Sequence, residues 1–171
     1  MRHLIYITLC LFGLATTAQS TILINNVVIF NGKDEKTITG NVLVVNNLIQ
    51  KISTSPIPTN KSGNTVIIDG KGKFLMPGLI DAHWHAILTA STMNELMYAE
   101  PGYVFIKAGD EAANTLMRGF TSVRDLGGPS FGLKKAIDDG VIDGPRIWPS
   151  GSIISQTSGH GDFRSVNERP V

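Results

Sequence analysis

The amino-acid sequence predicts an α/β protein in two parts: a β-sandwich-like segment over residues 21–76, then parallel β/α units from residue 77 onward. Three observations predict it. Short β-branched runs separated by turn residues fill the first part, and after Met76-Pro77-Gly78 the pattern changes to alternating strand and helix. Of the 171 residues, 42% are hydrophobic and 17% charged, which gives apolar material for a packed core and too little charge for disorder.

The β-branched runs fall at 22–24, 27–30, 42–45, 48–52 and 66–68 and read as a meander. Asn46-Asn47 between two apolar runs predicts a tight hairpin, and Asn31-Gly32 and Asp69-Gly70 repeat that kind of signal. Residues 54–63, with Pro56 and Pro58, form a loop. Its Asn60-Lys61-Ser62 sequon matters only if the host glycosylates exported proteins. In the second part, 79–85, 120–124 and 146–149 read as strands and 103–118 and 131–139 as helices. The first helix sets Ala108, Ala112, Thr115 and Leu116 on one face, as a helix covering a sheet does. Gly119 and Gly140 close the two helices, and Gly144-Pro145 opens the third strand.

Residues 1–20 stand apart. Met1-Arg2-His3 is a short positive start, and an apolar stretch from Leu4 to Ala15, broken only by Thr8, follows. That stretch is shorter than the ~20 residues a membrane-spanning helix needs and suits a secretory leader, with cleavage after Ser20 or Ala18. The expected location is therefore periplasmic or secreted. Cys10, the only cysteine, lies in this leader, so the mature chain has neither disulfides nor Cys-ligated zinc. The formal net charge is +1, and without Arg2 the mature balance is 14 basic against 14 acidic residues. With no basic stripe, neither nucleic acid nor, after leader removal, a membrane is an expected partner.

The stretch Pro77-Gly78-Leu79-Ile80-Asp81-Ala82-His83-Trp84-His85 carries the chemistry. On a strand, residues two apart share a face, so His83 and His85 project together while Trp84 enters the other layer. Two imidazoles about 6–7 Å apart along a strand can converge on one metal ion at its C-terminal end. By itself H-x-H is equally compatible with two unconnected histidines.

A sandwich-like segment, then Met-Pro-Gly-Leu-Ile-Asp-Ala-His-Trp-His, then β/α units resembles the amidohydrolase superfamily over essentially the whole mature chain. The stretches Gly119 to Gly128 and Ile154 to Asp162 narrow this to its imidazolonepropionase-like, prolidase-like branch, with Ser158-Gly159 where that branch commonly has two glycines. The resemblance implies a composite β-sandwich domain whose N-terminal part is 21–76. It also implies a metal-dependent (β/α)8 TIM barrel, of which 77–171 supply the first three units. On this reading the chain is an N-terminal fragment, inactive alone, and the remaining ligands lie beyond Val171.

The resemblance assigns His83 and His85 as metal ligands, with one or two divalent ions, zinc first. It implies hydrolysis of carbon–nitrogen bonds in dipeptides or N-acyl amino acids, Xaa-Pro included, with a homo-oligomer admissible. His160, on a loop after the third strand between Gly159 and Gly161, is the candidate catalytic and substrate-binding residue. Its bland alternative is a solvated loop histidine. Asp162 and Arg164 are expected to hold that loop or to form a surface pair, Arg124 and Asp125 to brace the barrel, and Glu95, Glu100 and Lys107 to lie at the surface. Two other readings stay open: a cyclic-amide hydrolase or deaminase of the same superfamily, and an exported non-catalytic metal-binding protein.

Overall fold

The computed structural model describes residues 20–60 and 64–163. Residues 1–19 of the expected leader, Cys10 among them, Lys61 and Ser62 of the sequon, and Arg164 lie outside the described residues. The chain divides into two compact units at Pro77/Gly78.

The first unit is one mixed sheet of β1 (Thr21–Ile29), β2 (Ile38–Val45), β3 (Leu48–Ser53), β4 (Thr65–Asp69) and β5 (Phe74–Leu75). The hairpin expected at Asn46-Asn47 is present: Val45 pairs with Leu48, and Asn46 takes φ +56°. Only β1, β2 and β3 form a meander. β4 and β5 both pair parallel with β1 on its other edge, β4 along its first half and β5 at its end. The meander expectation fails there because β1 is long enough to template two short strands. Run 22–24 and residues 27–29 of the next run belong to this one strand, broken by an irregularity at Asn25 and Asn26, where Asn26 takes φ +53°. The buried Asn41 holds that irregularity, accepting from the Asn26 N–H at 3.3 Å and donating to the Ser53 and Ser55 carbonyls.

The described residues of this unit form a single sheet, and a second sandwich layer is not formed by them. Its apolar cluster is small, centred on Val27, Ile29 and Val42. Leu48, Ile49, Ile52, Val66 and Ile68 remain exposed.

The second unit is a parallel three-stranded sheet, β6 (Leu79–Trp84), β7 (Phe120–Asp125) and β8 (Arg146–Pro149), with α1 (Ala86–Ala90), α2 (Met93–Tyr98), α3 (Pro101–Met117) and α4 (Phe131–Asp138). The β/α grammar is as expected; a closed barrel is not formed by the described residues. Helix α3 starts where Glu100 accepts from the Tyr103 N–H and Pro101 occupies its first turn, and it stops at Gly119, whose φ is +95°. It buries Val104, Ala108, Ala112 and Thr115, one stripe at helical spacing, while Leu116 is half-buried at its margin. This stripe packs with Trp84, Ala86, Ile87, Val123, Leu133 and Ile147 into the unit's core. Among the described residues no helix is long and apolar enough to cross a membrane.

Glu95 and Lys107 do more than face solvent. Thr92 and Glu95 form a reciprocal capping box at the start of α2, and Lys107 Nζ reaches the Glu95 carboxylate at 2.9 Å, joining α2 to α3. The hydrogen bond from Lys107 leads, followed by that from the Thr92 backbone, in lowering the Glu95 pKa to about 2. A depressed carboxylate pKa stabilises the fold above the unfolded value, near 4.5, and the contribution is lost as pH falls toward 2. Glu95→Gln should therefore lower Tm at pH 7, with wild type and variant converging between pH 4.5 and 2. Both side chains are partly exposed, so added salt should narrow the gap.

Candidate metal centre

The three strands run parallel, so their C-terminal ends, and the loops that leave them, lie on one side of the sheet. β6 ends at Trp84, whose side chain is buried in the helix-facing core. His83 and His85 bracket it, with ring centroids 5.2 Å apart and planes at 73°. Simple alternation does not produce this pairing unaided. The β6–β7 register shifts between Asp81 and Trp84, and Asp81 Oδ1 accepts from the His83 N–H at 3.0 Å, a local bond that competes with the ladder. His85 lies just past the strand as the N-cap residue of α1, and its carbonyl accepts from both the N–H and the hydroxyl of Thr89. His83 is exposed and His85 half-buried.

Asp125 locks this corner. Fully buried at the end of β7, it accepts from the Ala86 N–H at 3.3 Å through Oδ2 and from the Gly127 N–H at 3.0 Å through Oδ1. It thus ties the residue after His85 to the turn whose Gly127 carbonyl lies 3.5 Å from His85 Nδ1. This is the bracing role expected of Asp125; Arg124 is exposed on β7. Neither Asp81 nor Gly127 was singled out from sequence as part of this corner. The acidic side chain two residues before His83 is the only local signal for the first, and the second depends on a contact 42 residues apart.

A divalent ion suits this donor set as far as it extends. An Nδ1–H directed at the Gly127 carbonyl leaves Nε2 of a neutral His85 as the free donor, the usual way a backbone carbonyl fixes a ligating imidazole. Among the described residues, however, no group of three His, Cys, Asp or Glu side chains could hold one ion. His160 therefore does not join the pair as a third ligand within these residues.

His160 is exposed on the loop after β8. The loop is braced internally: Asp162 Oδ2 accepts from the Ser158 N–H at 2.8 Å, and Ser155 Oγ accepts from the Gly161 N–H. So Asp162 does hold the loop, through backbone. Ser158 sits at φ +59°, a left-handed conformation that glycine adopts without cost, and the Asp162 bond holds it there. The glycines on either side of His160 serve packing within the loop: a Cβ on Gly161 would come within 2.3 Å of Ile153 Cγ2, and one on Gly159 within 2.5 Å of Ser155 Oγ. Ile153 also fills the space over Gly127, where a Cβ would meet it at 2.1 Å. The His160 loop is thereby anchored on the same turn that touches His85.

Residues 74–170 match the model of the amidohydrolase family. Among curated proteins the chain is similar to ochratoxinase of Aspergillus niger, 38% identical over 52% of this chain and 19% of the relative. It is also similar to 5'-deoxyadenosine deaminase of Methanobrevibacter smithii (39%, over 42% of this chain and 16% of the relative) and imidazolonepropionase of Treponema denticola (35%, over 43% and 18%). Among solved structures it superposes on a prolidase complexed with N-methylphosphonate-L-proline at TM-score 0.76, with 32% identity over 89% of this chain and 37% of that one. A Xaa-Pro dipeptidase with methionine bound in its active site gives 0.72, with 26% identity over 88% and 39%. The chain thus spans under a fifth of those curated relatives and under two fifths of those solved chains. With the family match covering more than half of its residues and the strand-end histidine pair inside the matched region, the chain belongs to the amidohydrolase family.

Proposed function

We propose that the whole protein is an exported, metal-dependent hydrolase of carbon–nitrogen bonds, acting on dipeptides or N-acyl amino acids, Xaa-Pro among them. The observation that carries this reading is the His83–His85 pair at the end of β6, with His85 Nδ1 beside the Gly127 carbonyl. The solved prolidase and Xaa-Pro dipeptidase favour the substrate class, and the short positive start and apolar stretch of residues 1–20 favour export to the periplasm or medium.

In this reading His83 and His85, both neutral, hold a divalent ion, with zinc preferred by imidazole donors. The ion supplies Lewis acidity that activates water and polarises an amide carbonyl. Asp125 and Gly127 fix the His85 ring, and His160 binds the substrate carboxylate or the scissile carbonyl from its braced loop.

The assay is hydrolysis of a dipeptide panel by the whole protein; metal uptake without turnover would mark a binding protein instead. His160→Ala should keep its metal and lose ~10- to 1000-fold in kcat/KM, the range for removing one binding or oxyanion-type contact. An unchanged kcat/KM returns His160 to solvent. The similarity to a deaminase and an imidazolonepropionase favours, as a second reading, cleavage of a ring carbon–nitrogen bond. Ammonia release from aminated heterocycles, or opening of a cyclic amide, without hydrolysis of any dipeptide would select it.

A further inference from the structure

The loop that follows β8 is tied into one piece by its own hydrogen bonds. The Gly159 N–H donates to the Gln156 carbonyl and the Asp162 N–H to the Gly159 carbonyl, while the Asp162 and Ser155 side chains accept from the N–H groups of Ser158 and Gly161. One anchor of this piece is Ile153, which fills the space over Gly127 and Gly161. A body held at one point can still turn about it, so this anchor alone does not place His160. A second anchor lies on the other side of His160. Phe163 lines an apolar cleft of ≈ 320 Å³ together with Ile87, Leu88, Met97, Val104 and Pro129. Ile87 and Val104 belong to the buried core of the unit, so this part of the cleft wall is close-packed and holds its position. Phe163 keeps 46% of its surface exposed, whereas Ile154 of the same loop is 100% exposed. The loop thus commits one large apolar side chain to the cleft and leaves the other in solvent.

We propose that Phe163 is a positioning residue for His160: docked in the cleft against core side chains, it fixes the second end of the loop and so sets where the imidazole stands. The inference rests on the reading of His160 given above and adds the contact that places it. With Ile153 on one side and Phe163 on the other, the hydrogen-bonded turns between them transmit the constraint to residue 160 rather than absorb it. Misplacement costs rate out of proportion to distance, since a shift of ~1 Å can cost ~100-fold. Loss of the anchor should therefore remove a large part of what His160 contributes, and no more than the whole, because its effect passes through His160.

The test is a double-mutant cycle in the whole protein, Phe163→Ala and Phe163→Leu each with and without His160→Ala. It is read by kcat/KM on the dipeptide that wild type cleaves fastest in an Xaa-Pro panel, by bound metal, by Tm and by hydrogen exchange of residues 153–163. Phe163→Ala should keep its metal, exchange faster at the Ser158, Gly161 and Asp162 amides, and lose ~10-fold or more in kcat/KM. Phe163→Leu, which still fills the cleft, should stay within about threefold of wild type. In the His160→Ala background Phe163→Ala should cost no more than about twofold, since the residue it places is gone. An equal loss in both backgrounds would make Phe163 a plain packing residue and overturns the role, as does exchange that Phe163→Ala leaves unchanged. A His160→Ala variant as fast as wild type sinks the reading of His160 and the positioning role together, and a wild type that cleaves no dipeptide sinks the amide-hydrolase reading with both.

Discussion

Replacing His83 or His85 by alanine in the whole protein is expected to lower bound metal and to reduce turnover by more than ~100-fold. Loss of a group that merely orients a ligand already costs ~10- to 100-fold, and loss of the ligand itself should cost more. The two rings stand 5.2 Å apart at the end of a strand whose other neighbour, Trp84, is packed into the core, so neither can be replaced by a shift of the backbone. Metal by elemental analysis and rate on a dipeptide should fall together. A variant with normal metal content and full activity would remove the pair from the site.

Asp125→Ala should destabilise the protein by about 2–4 kcal/mol, although Asp125 touches neither imidazole. The substitution leaves the buried N–H groups of Ala86 and Gly127 without an acceptor, and a buried polar group left unsatisfied costs about 1–3 kcal/mol. It also releases the Gly127 turn from the corner, so metal affinity should weaken along with stability. Asp125→Asn, which keeps one carbonyl oxygen, should fall between. Urea unfolding paired with metal titration reads both effects. A stability loss without any change in metal affinity would confine Asp125 to folding.

The local grammar of the second unit was legible because its signals are short-range. The burial of Trp84 between two outward histidines, the stripe along α3 and the terminating Gly119 are signalled by strand and helix periods and by the left-handed conformation that Gly119 takes, although the final approach of the two rings also depends on the register shift in β6. Illegible parts depend on residues far apart in sequence. That β4 and β5 would align on one strand, rather than continue a meander, is decided by pairing across about 45 residues. The Asp81 bond within the shifted stretch of β6 was hidden for a different reason, since an aspartate before H-x-H reads equally well as strand end or surface. The contact between His85 and Gly127 joins segments 42 residues apart and has no local signature. Ser158 departs from the two glycines of the resembled branch, but its left-handed backbone and the Asp162 acceptor that holds it emerge only in the folded loop.

The central claim is tested most directly by hydrolysis of Xaa-Pro dipeptides by the whole protein before and after its metal is stripped with a chelator and restored with zinc. The account predicts turnover that disappears with the metal and returns when zinc is added back. Hydrolysis that persists in the stripped protein, or zinc that binds without restoring any hydrolysis, would contradict it.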